Sequence, residues 1–340
     1  MKGVQIVLDE VQGRPAAALM RDGQLDDFLL TAPEDAPPAP GAIFRAIADR
    51  PLKGQGGMMM RLSEGQMALF RGAKGVKPGQ SLLVQVTSYS EPGKAVPVTD
   101  RVIFKGRFVI ITPGARGINV SRQIRDEEEK VRLLDLVHGV EMPEDVGLIL
   151  RSNAEGADED EIAGEVGQIL GLAQAVLSDQ STEAELLVDG SDAHEIAARD
   201  WVASEIVQGF ETHGVLDALS GLATLAVALG GTTLFIEPTR ALVAVDVNTG
   251  GDFSPASGLK ANLACARALP RQLRCRGLGG QITLDLAPMA KKDRKQFEQA
   301  LRAAFKADPV ETALVGWTPL GHFELQRKRE RLPLPKGVVT

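Results

Sequence analysis

"ALVAVDVNTGGD", residues 241–252, sets an apolar strand against two polar side chains. Its small and β-branched residues read as a buried strand, yet Asp246 and Asn248 interrupt it two positions apart and Gly250 and Gly251 follow at once. A carboxylate among valines is costly unless it is paired or bound to a metal. Around this strand the last third of the chain alternates "TTLFIEP", "RALVAVDVNT", a helix over 257–276, "GQITLDLAPM", a helix over 291–306 and "TALVGWTP". Strands alternating with helices make an α/β layer. Pro270 falls inside the first of these helices and is expected to kink it, because proline removes a backbone donor.

"GQITLDLAPM" repeats the oddity, with Asp285 among leucines. Both aspartates lie late in their strands, just before a loop, where α/β layers gather functional groups. Two carboxylates and an amide converging there would supply hard oxygen ligands for Mg²⁺, which takes one or two protein carboxylates and completes its shell with water and phosphate. Such an ion neutralises charge on a phosphodiester and activates an attacking water. Either aspartate alone reads equally as a helix cap or a structural ion pair. Two in neighbouring strands, beside the basic run Arg267, Arg271, Arg274 and Arg276, point to phosphate chemistry.

Upstream, short strands around "RDGQ" end in the Pro-rich connection "APEDAPPAPGA" (32–42), where a domain boundary fits. Five short strands follow, "GAIFRAIAD", "GGMMMRL", "QMALFRG", "QSLLVQVTSYS" and "RVIFKGRFVIITP", as expected of a small barrel of the oligonucleotide-binding (OB) type or of a plain meander. The net charge of −7 hides opposite segments. Residues 42–125 carry 14 Lys and Arg against 4 Asp and Glu, 126–215 carry 4 against 23, and 216–340 carry 17 against 11. Two basic segments around an acidic one suit a polyanion held at two places, and equally an ordinary solvated surface. With 340 residues, 44% hydrophobic, and no 18-residue uncharged apolar window, a soluble, cytoplasmic, multidomain protein without a membrane span is expected. Cys265 and Cys275 lie ten apart with no partner cluster and read as buried, inert thiols.

"TLFIEPTRALVAVDVNTGGD" followed by "NLACARALPRQLRCRGLGGQITLDLAPM" resembles the catalytic signature of the ribonuclease E/G family. The resemblance implies a ribonuclease-H-like domain (1–38 and 179–214) interrupted by an RNA-binding OB-fold (39–100) and a region sensing the RNA 5′ end (101–178), then a deoxyribonuclease-I-like catalytic domain (215–334). It implies that Asp246 and Asp285 bind catalytic Mg²⁺ and that Asn248 assists. Lys94 in "EPGKAVPVTDRVIFKG" resembles a lysine that grips RNA, and Phe70 in "MALFRG" one of two base-stacking aromatics, the other standing here as Met60. Phe70 equally fits a barrel core. "GRFVIITP", "GINVSRQI" and "GLILRSN" resemble the strips of a 5′-monophosphate pocket, giving Gly106, Ile110, Arg122, Arg151 and Ser152, although either arginine suits the carboxylates of 126–165 as well.

Three departures stand out. The cysteine pair that forms a zinc link in the family's long enzymes is missing, so no zinc-linked dimer is expected and the oligomeric state is open. Arg240 stands beside the first catalytic strand where the family has an acidic residue, and Pro288 stands where it often has a second aspartate. The expectation is a short Mg²⁺-dependent endoribonuclease cleaving single-stranded RNA to 5′-phosphate and 3′-hydroxyl ends, in ribosomal RNA processing or messenger RNA decay. The rival is an RNA-binding protein that kept the fold and lost efficient cleavage.

Overall fold

In the computed structural model, which describes residues 3–52, 54, 56–72, 74–252 and 254–335, the chain opens as an antiparallel meander of β1 (Val4–Val11), β2 (Arg14–Arg21) and β3 (Gln24–Leu30). Both hairpins turn on two residues of left-handed φ, Gln12–Gly13 and Asp22–Gly23, the backbone that matches strand twist across a two-residue loop. Met1 and Lys2 of the first expected domain lie outside the described residues.

Residues Glu34–Val202 form one compact unit, and the segments up to Pro33 and from Ala203 form the other. The inserted unit begins with β4 (Ile43–Leu52), β5 (Gly57–Arg61), β6 (Met67–Arg71), β7 (Ser81–Val86) and β8 (Val96–Thr99), closed into a five-stranded, OB-like barrel by β4–β7 pairing. The fifth barrel strand is β8, whereas "RVIFKGRFVIITP" was expected in that place. A proline inside a run argues against a strand, and Pro97 hid this one.

"RVIFKGRFVIITP" instead makes β9 (Phe104–Lys105) and β10 (Val109–Pro113), joined by β11 (Gly117–Val120) and, after α1 (Glu127–His138), by β12 (Val146–Leu150) in the order β11-β12-β10-β9. Helix α2 (Glu159–Leu177), N-capped by Asp158, buries Ile162, Val166 and Leu170 in a core shared with Val109, Ile111 and Leu148. Strand β13 (Glu185–Val188) then pairs with β4, and helix α3 (Ala193–Asp200) starts with a reciprocal Asp192–Glu195 capping box. Arg45, 3% exposed, explains the detour: its Nε donates to Asp179 Oδ2 at 2.6 Å and its Nη1 to Glu185 Oε2 at 3.1 Å. A buried guanidinium holds the returning chain against the barrel. The return to the first sheet, expected at 179, therefore comes at 203, where β14 (Glu205–Gln208) lies parallel to β1.

After α4 (Val215–Ala223) comes a six-stranded sheet: β15 (Ala226–Leu229), β16 (Thr232–Pro238), β17 (Val243–Asn248), β18 (Gly280–Asp285), β19 (Thr312–Trp317) and β20 (Phe323–Arg327), ordered β15-β16-β17-β18-β20-β19. β17 and β18 are parallel, and parallel neighbours need a crossover, here α5 (Ser257–Cys275). The helix runs unbroken through Pro270. α5 and α6 (Arg294–Lys306) cover one sheet face, where Val243, Val245, Val247, Ile282 and Leu284 meet Leu269, Leu273, Phe297 and Leu301. Ala244, Asp246 and Asn248 face the other way. The strand expected to be buried is buried on one face only.

The far end of α5 is an ion network. Arg274, 8% exposed, bonds the Asp26 carbonyl at 2.7 Å, lies 3.5 Å from Asp27 and contacts Asp308, which Arg327 also meets at 3.0 Å. Arg331 closes on Asp27 at 3.0 Å. Among the described residues no helix is long and apolar enough to cross a membrane.

Candidate active site

Asp246 and Asp285 are register partners at the last paired position of the parallel strands β17 and β18. Neighbouring strands lie about 4.8 Å apart, so the two carboxylates stand side by side on the same face. Both are exposed, because that face carries no helix layer. The burial cost inferred from the valines and leucines does not arise. Asn248, two residues on and so on the same face, donates from Nδ2 to Asp246 Oδ2 at 2.8 Å.

The sequence did not single out His322. It precedes β20 and follows the Leu284↔Phe323 pair, which puts it opposite Asp285, with Nε2 3.6 Å from Asp285 Oδ1. Nor did it single out Asn262, fully buried in α5, which donates to the Ala287 carbonyl at 2.9 Å and accepts from the Ala287 N–H at 3.0 Å. This clamp fixes the loop leaving Asp285. A polar residue at an inward position of an amphipathic helix was its available signal.

Two expected neighbours are elsewhere. Arg240 sits in the turn before β17, and Asp246 is near the opposite end of that strand. The N-terminal turn of α5 is the part near the site: a Cβ at Gly258 would overlap the Pro288 carbonyl oxygen. Arg274 lies about 25 Å further along the helix, committed to carboxylates. Of the basic run, Arg267 alone is exposed.

The donor set fits a hard divalent ion such as Mg²⁺: two adjacent carboxylates on an open face, with an amide beside them. Among the described residues no group of three His, Cys, Asp or Glu side chains is placed to hold an ion, so water and substrate oxygens would complete the shell. Burial pushes both cysteine thiols up to about 12, which keeps them protonated and inert.

Phe70 is 2% exposed and packs inside the barrel with Met58 and Met60. A ring with no free face cannot stack on a base, so the stacking assignment of Phe70, with Met60, is corrected to barrel core. The outward neighbours form a row across four strands, Arg50–Met59–Leu69–Pro97, the last three half-buried. Lys94 is 67% exposed on the loop entering β8 and ion-pairs with Glu91.

Gly106, Ile110, Arg122, Arg151 and Ser152 come from adjacent segments of the β11-β12-β10-β9 sheet, with Ile110 opposite Ile149 and the Arg151 N–H on the Phe108 carbonyl at 2.7 Å. The sheet brings them together, but the chain's own carboxylates take the donors. Glu165 accepts from the backbone N–H groups of Arg107, Phe108 and Val109 at 2.7, 2.6 and 3.0 Å, an anion nest filled from α2. Gly106 admits it, since a Cβ there would lie 2.6 Å from the Glu165 carboxyl carbon. Arg151 Nη2 donates to Asp200 Oδ1 at 2.7 Å, and Lys105 and Arg199 meet the same carboxylate. Arg122 is exposed and Ser152 half-buried.

Burial pushes the Asp200 carboxyl up, but the charges of Lys105 and Arg199 outweigh it and hold the group well below the ordinary carboxylate range. A depressed folded value contributes stability that is complete above the unfolded value near about 4 and is lost as pH falls through the folded one. The urea midpoint of the wild type is therefore expected to fall more steeply below about pH 4 than that of Asp200→Asn. Parallel curves for the two proteins would refute the linkage.

The fold and this site define a class, a mixed α/β protein that pairs an OB-like barrel with a solvent-facing carboxylate pair. The sequence profile of the Ribonuclease E/G family matches residues 103–208 and 207–330, and the chain belongs to that family. It is 28% identical to Ribonuclease E of Nostoc sp. (strain PCC 7120 / SAG 25.82 / UTEX 2576) over 90% of this chain and 51% of that protein. It is 30% identical to Ribonuclease G of Escherichia coli (strain K12) over 75% of this chain and 61% of that protein. The chain thus spans about half to three fifths of the length of these relatives.

Proposed function

We propose that the chain is an endoribonuclease that cleaves single-stranded RNA at the Asp246–Asp285 pair, with Mg²⁺ held by the two carboxylates. The in-register carboxylates on an uncovered sheet face carry this reading, and family membership supports it. Bound there, the ion would neutralise charge developing on the phosphodiester and activate the attacking water. Asn248 keeps Asp246 oriented through its 2.8 Å bond, and the open face leaves room for an extended strand of RNA. On the barrel, the Arg50–Met59–Leu69–Pro97 row with Lys94 takes the substrate, the apolar side chains lying against bases and the cations against phosphates. The arrangement of domains follows the family's order, with the boundary at 203. Ribosomal RNA processing or messenger RNA decay in the cytoplasm is the corresponding role.

The position of Arg240 favours this reading over a retired RNA-binding protein, because its charge sits away from the carboxylates. The test is cleavage of a labelled single-stranded RNA with and without Mg²⁺, followed by ligation of the products. Ion-dependent cleavage giving ligatable 5′-phosphate ends is expected, and binding without cleavage would sink the proposal.

The 5′-end corner contributes little, since Arg151 and the backbone nest behind Gly106 are taken by Asp200 and Glu165. Matched RNAs with 5′-monophosphate and 5′-hydroxyl ends are expected to be cleaved at rates within about threefold, because a fully paired guanidinium offers no net gain to a new anion. A tenfold preference for the phosphate, lost in Ser152→Ala or Arg122→Ala, would restore a sensing role to those residues.

A further inference from the structure

We infer that His322 is a positioning residue for Asp285, holding that carboxylate in place as Asn248 holds Asp246; the inference rests on the reading that the carboxylate pair binds a divalent ion. The register is the ground for it. Adjacent strands β17, β18 and β20 bring Asp246, Asp285 and His322 into one row on the uncovered sheet face. The two carboxylates are then matched. Asp246 has the Asn248 amide at 2.8 Å, and Asp285 has the His322 imidazole, Nε2 to Oδ1 at 3.6 Å.

The backbone that carries the imidazole is well anchored for this task. The Thr318 N–H donates to the His322 carbonyl at 2.8 Å, and the His322 N–H donates to Thr318 Oγ1 at 3.1 Å, so the chain entering β20 is pinned from both sides. The side chain is 36% exposed, and bringing the 3.6 Å separation from Asp285 to hydrogen-bond distance needs a shift of under about 1 Å. A neutral imidazole donating through Nε2–H suffices, so no change of charge is involved. The carboxylate keeps its second oxygen for the ion. An exposed aspartate without such a partner samples several rotamers and loses entropy when it coordinates, which is why hydrogen-bonding partners of metal ligands strengthen binding.

Mn²⁺ replaces Mg²⁺ as a spectroscopic probe at an oxygen-rich site. Its affinity for the full chain is read by electron paramagnetic resonance, without RNA, at one fixed pH for all variants. Wild type, His322→Leu, His322→Gln and Asp285→Asn are compared. His322→Leu is expected to bind Mn²⁺ about 10- to 100-fold more weakly, the usual cost of losing such a partner, with an unchanged thermal melt. His322→Gln, which keeps an N–H donor, is expected to lie closer to wild type than to the leucine variant. A loss under about fivefold in His322→Leu, or a glutamine variant as weak as leucine, overturns the inference. Should leucine disturb the melt, His322→Ala takes its place in the same comparison. If wild type binds no more tightly than Asp285→Asn, the carboxylate-pair reading itself falls. Loss in Asp285→Asn with none in the His322 variants refutes only the role of His322.

Discussion

If the Asp246–Asp285 pair is the reacting centre as proposed, Asp246→Asn and Asp285→Asn are each expected to slow RNA cleavage by about 10²- to 10⁴-fold and to leave RNA affinity nearly unchanged. The separation follows from where the residues stand. Both carboxylates are exposed and sit outside the apolar face packed by α5 and α6, so an isosteric amide disturbs no core contact. The outward barrel row that the proposal assigns to RNA belongs to the other compact unit. On the proposed reading each variant would lose one of two anionic ion ligands, and several kcal/mol of charge stabilisation at the transition state correspond to that range of rates. Asn248→Ala, which removes an orienting bond and no charge, is expected to cost about tenfold, the scale of one neutral hydrogen bond. Single-turnover cleavage at saturating protein, with fluorescence anisotropy for affinity, separates the two effects. Aspartate variants within tenfold of wild type would show that the pair is not the reacting centre.

Asp308→Asn is expected to lower the stability of the unit that carries the site by about 3–5 kcal/mol. The Asp308 side chain is 0% exposed and is shared by Arg274 and Arg327. Removing its charge takes a carboxylate from each of the two guanidinium groups, and an uncompensated buried charge costs more than the pair contributed. Arg274 retains Asp26 and Asp27, whereas Arg327, 1% exposed, keeps no carboxylate partner among the described residues, its remaining contacts being the oxygens of Thr312 and Val310 and the Phe305 ring. Adding Arg327→Met to Asp308→Asn is therefore expected to recover part of the loss, since it removes the worse-compensated charge and places a flexible apolar chain in the same volume. Urea unfolding of the single and double variants measures both effects. A double variant less stable than Asp308→Asn would mean that Arg327 contributes by packing and by its neutral bonds.

This network also shows why the basic run misled. In sequence, Arg267, Arg271, Arg274 and Arg276 lie between the two strands that carry Asp246 and Asp285 and read as phosphate ligands. A helix separates its two ends in space, and the partners of Arg274 come from residues 26, 27 and 308. No local pattern announces a carboxylate almost 250 positions away. Phe70 failed for a related reason. Alternation along β6 puts Ala68 and Phe70 on one face and Met67 and Leu69 on the other, but which face closes inward depends on how β4 and β7 complete the barrel. Pro97 concealed the remaining strand, because its missing N–H speaks against pairing even where the register accommodates it.

By itself the sequence determined the polar pair Asp246 and Asn248 in one strand and Asp285 in a second, the alternation of strands and helices around them, and the family's signature, because these are patterns within some fifty consecutive residues. Tertiary structure alone decided that Asp246 and Asp285 are register partners, that helices cover only the opposite face of their sheet, and that His322 joins their row. It also decided that Glu165 and Asp200 fill the corner expected to receive a 5′ phosphate. The physical reason is that a strand's periodicity specifies two faces, and only packing chooses between them. A charged group likewise declares its need for a partner in the sequence, while the fold supplies the partner's identity.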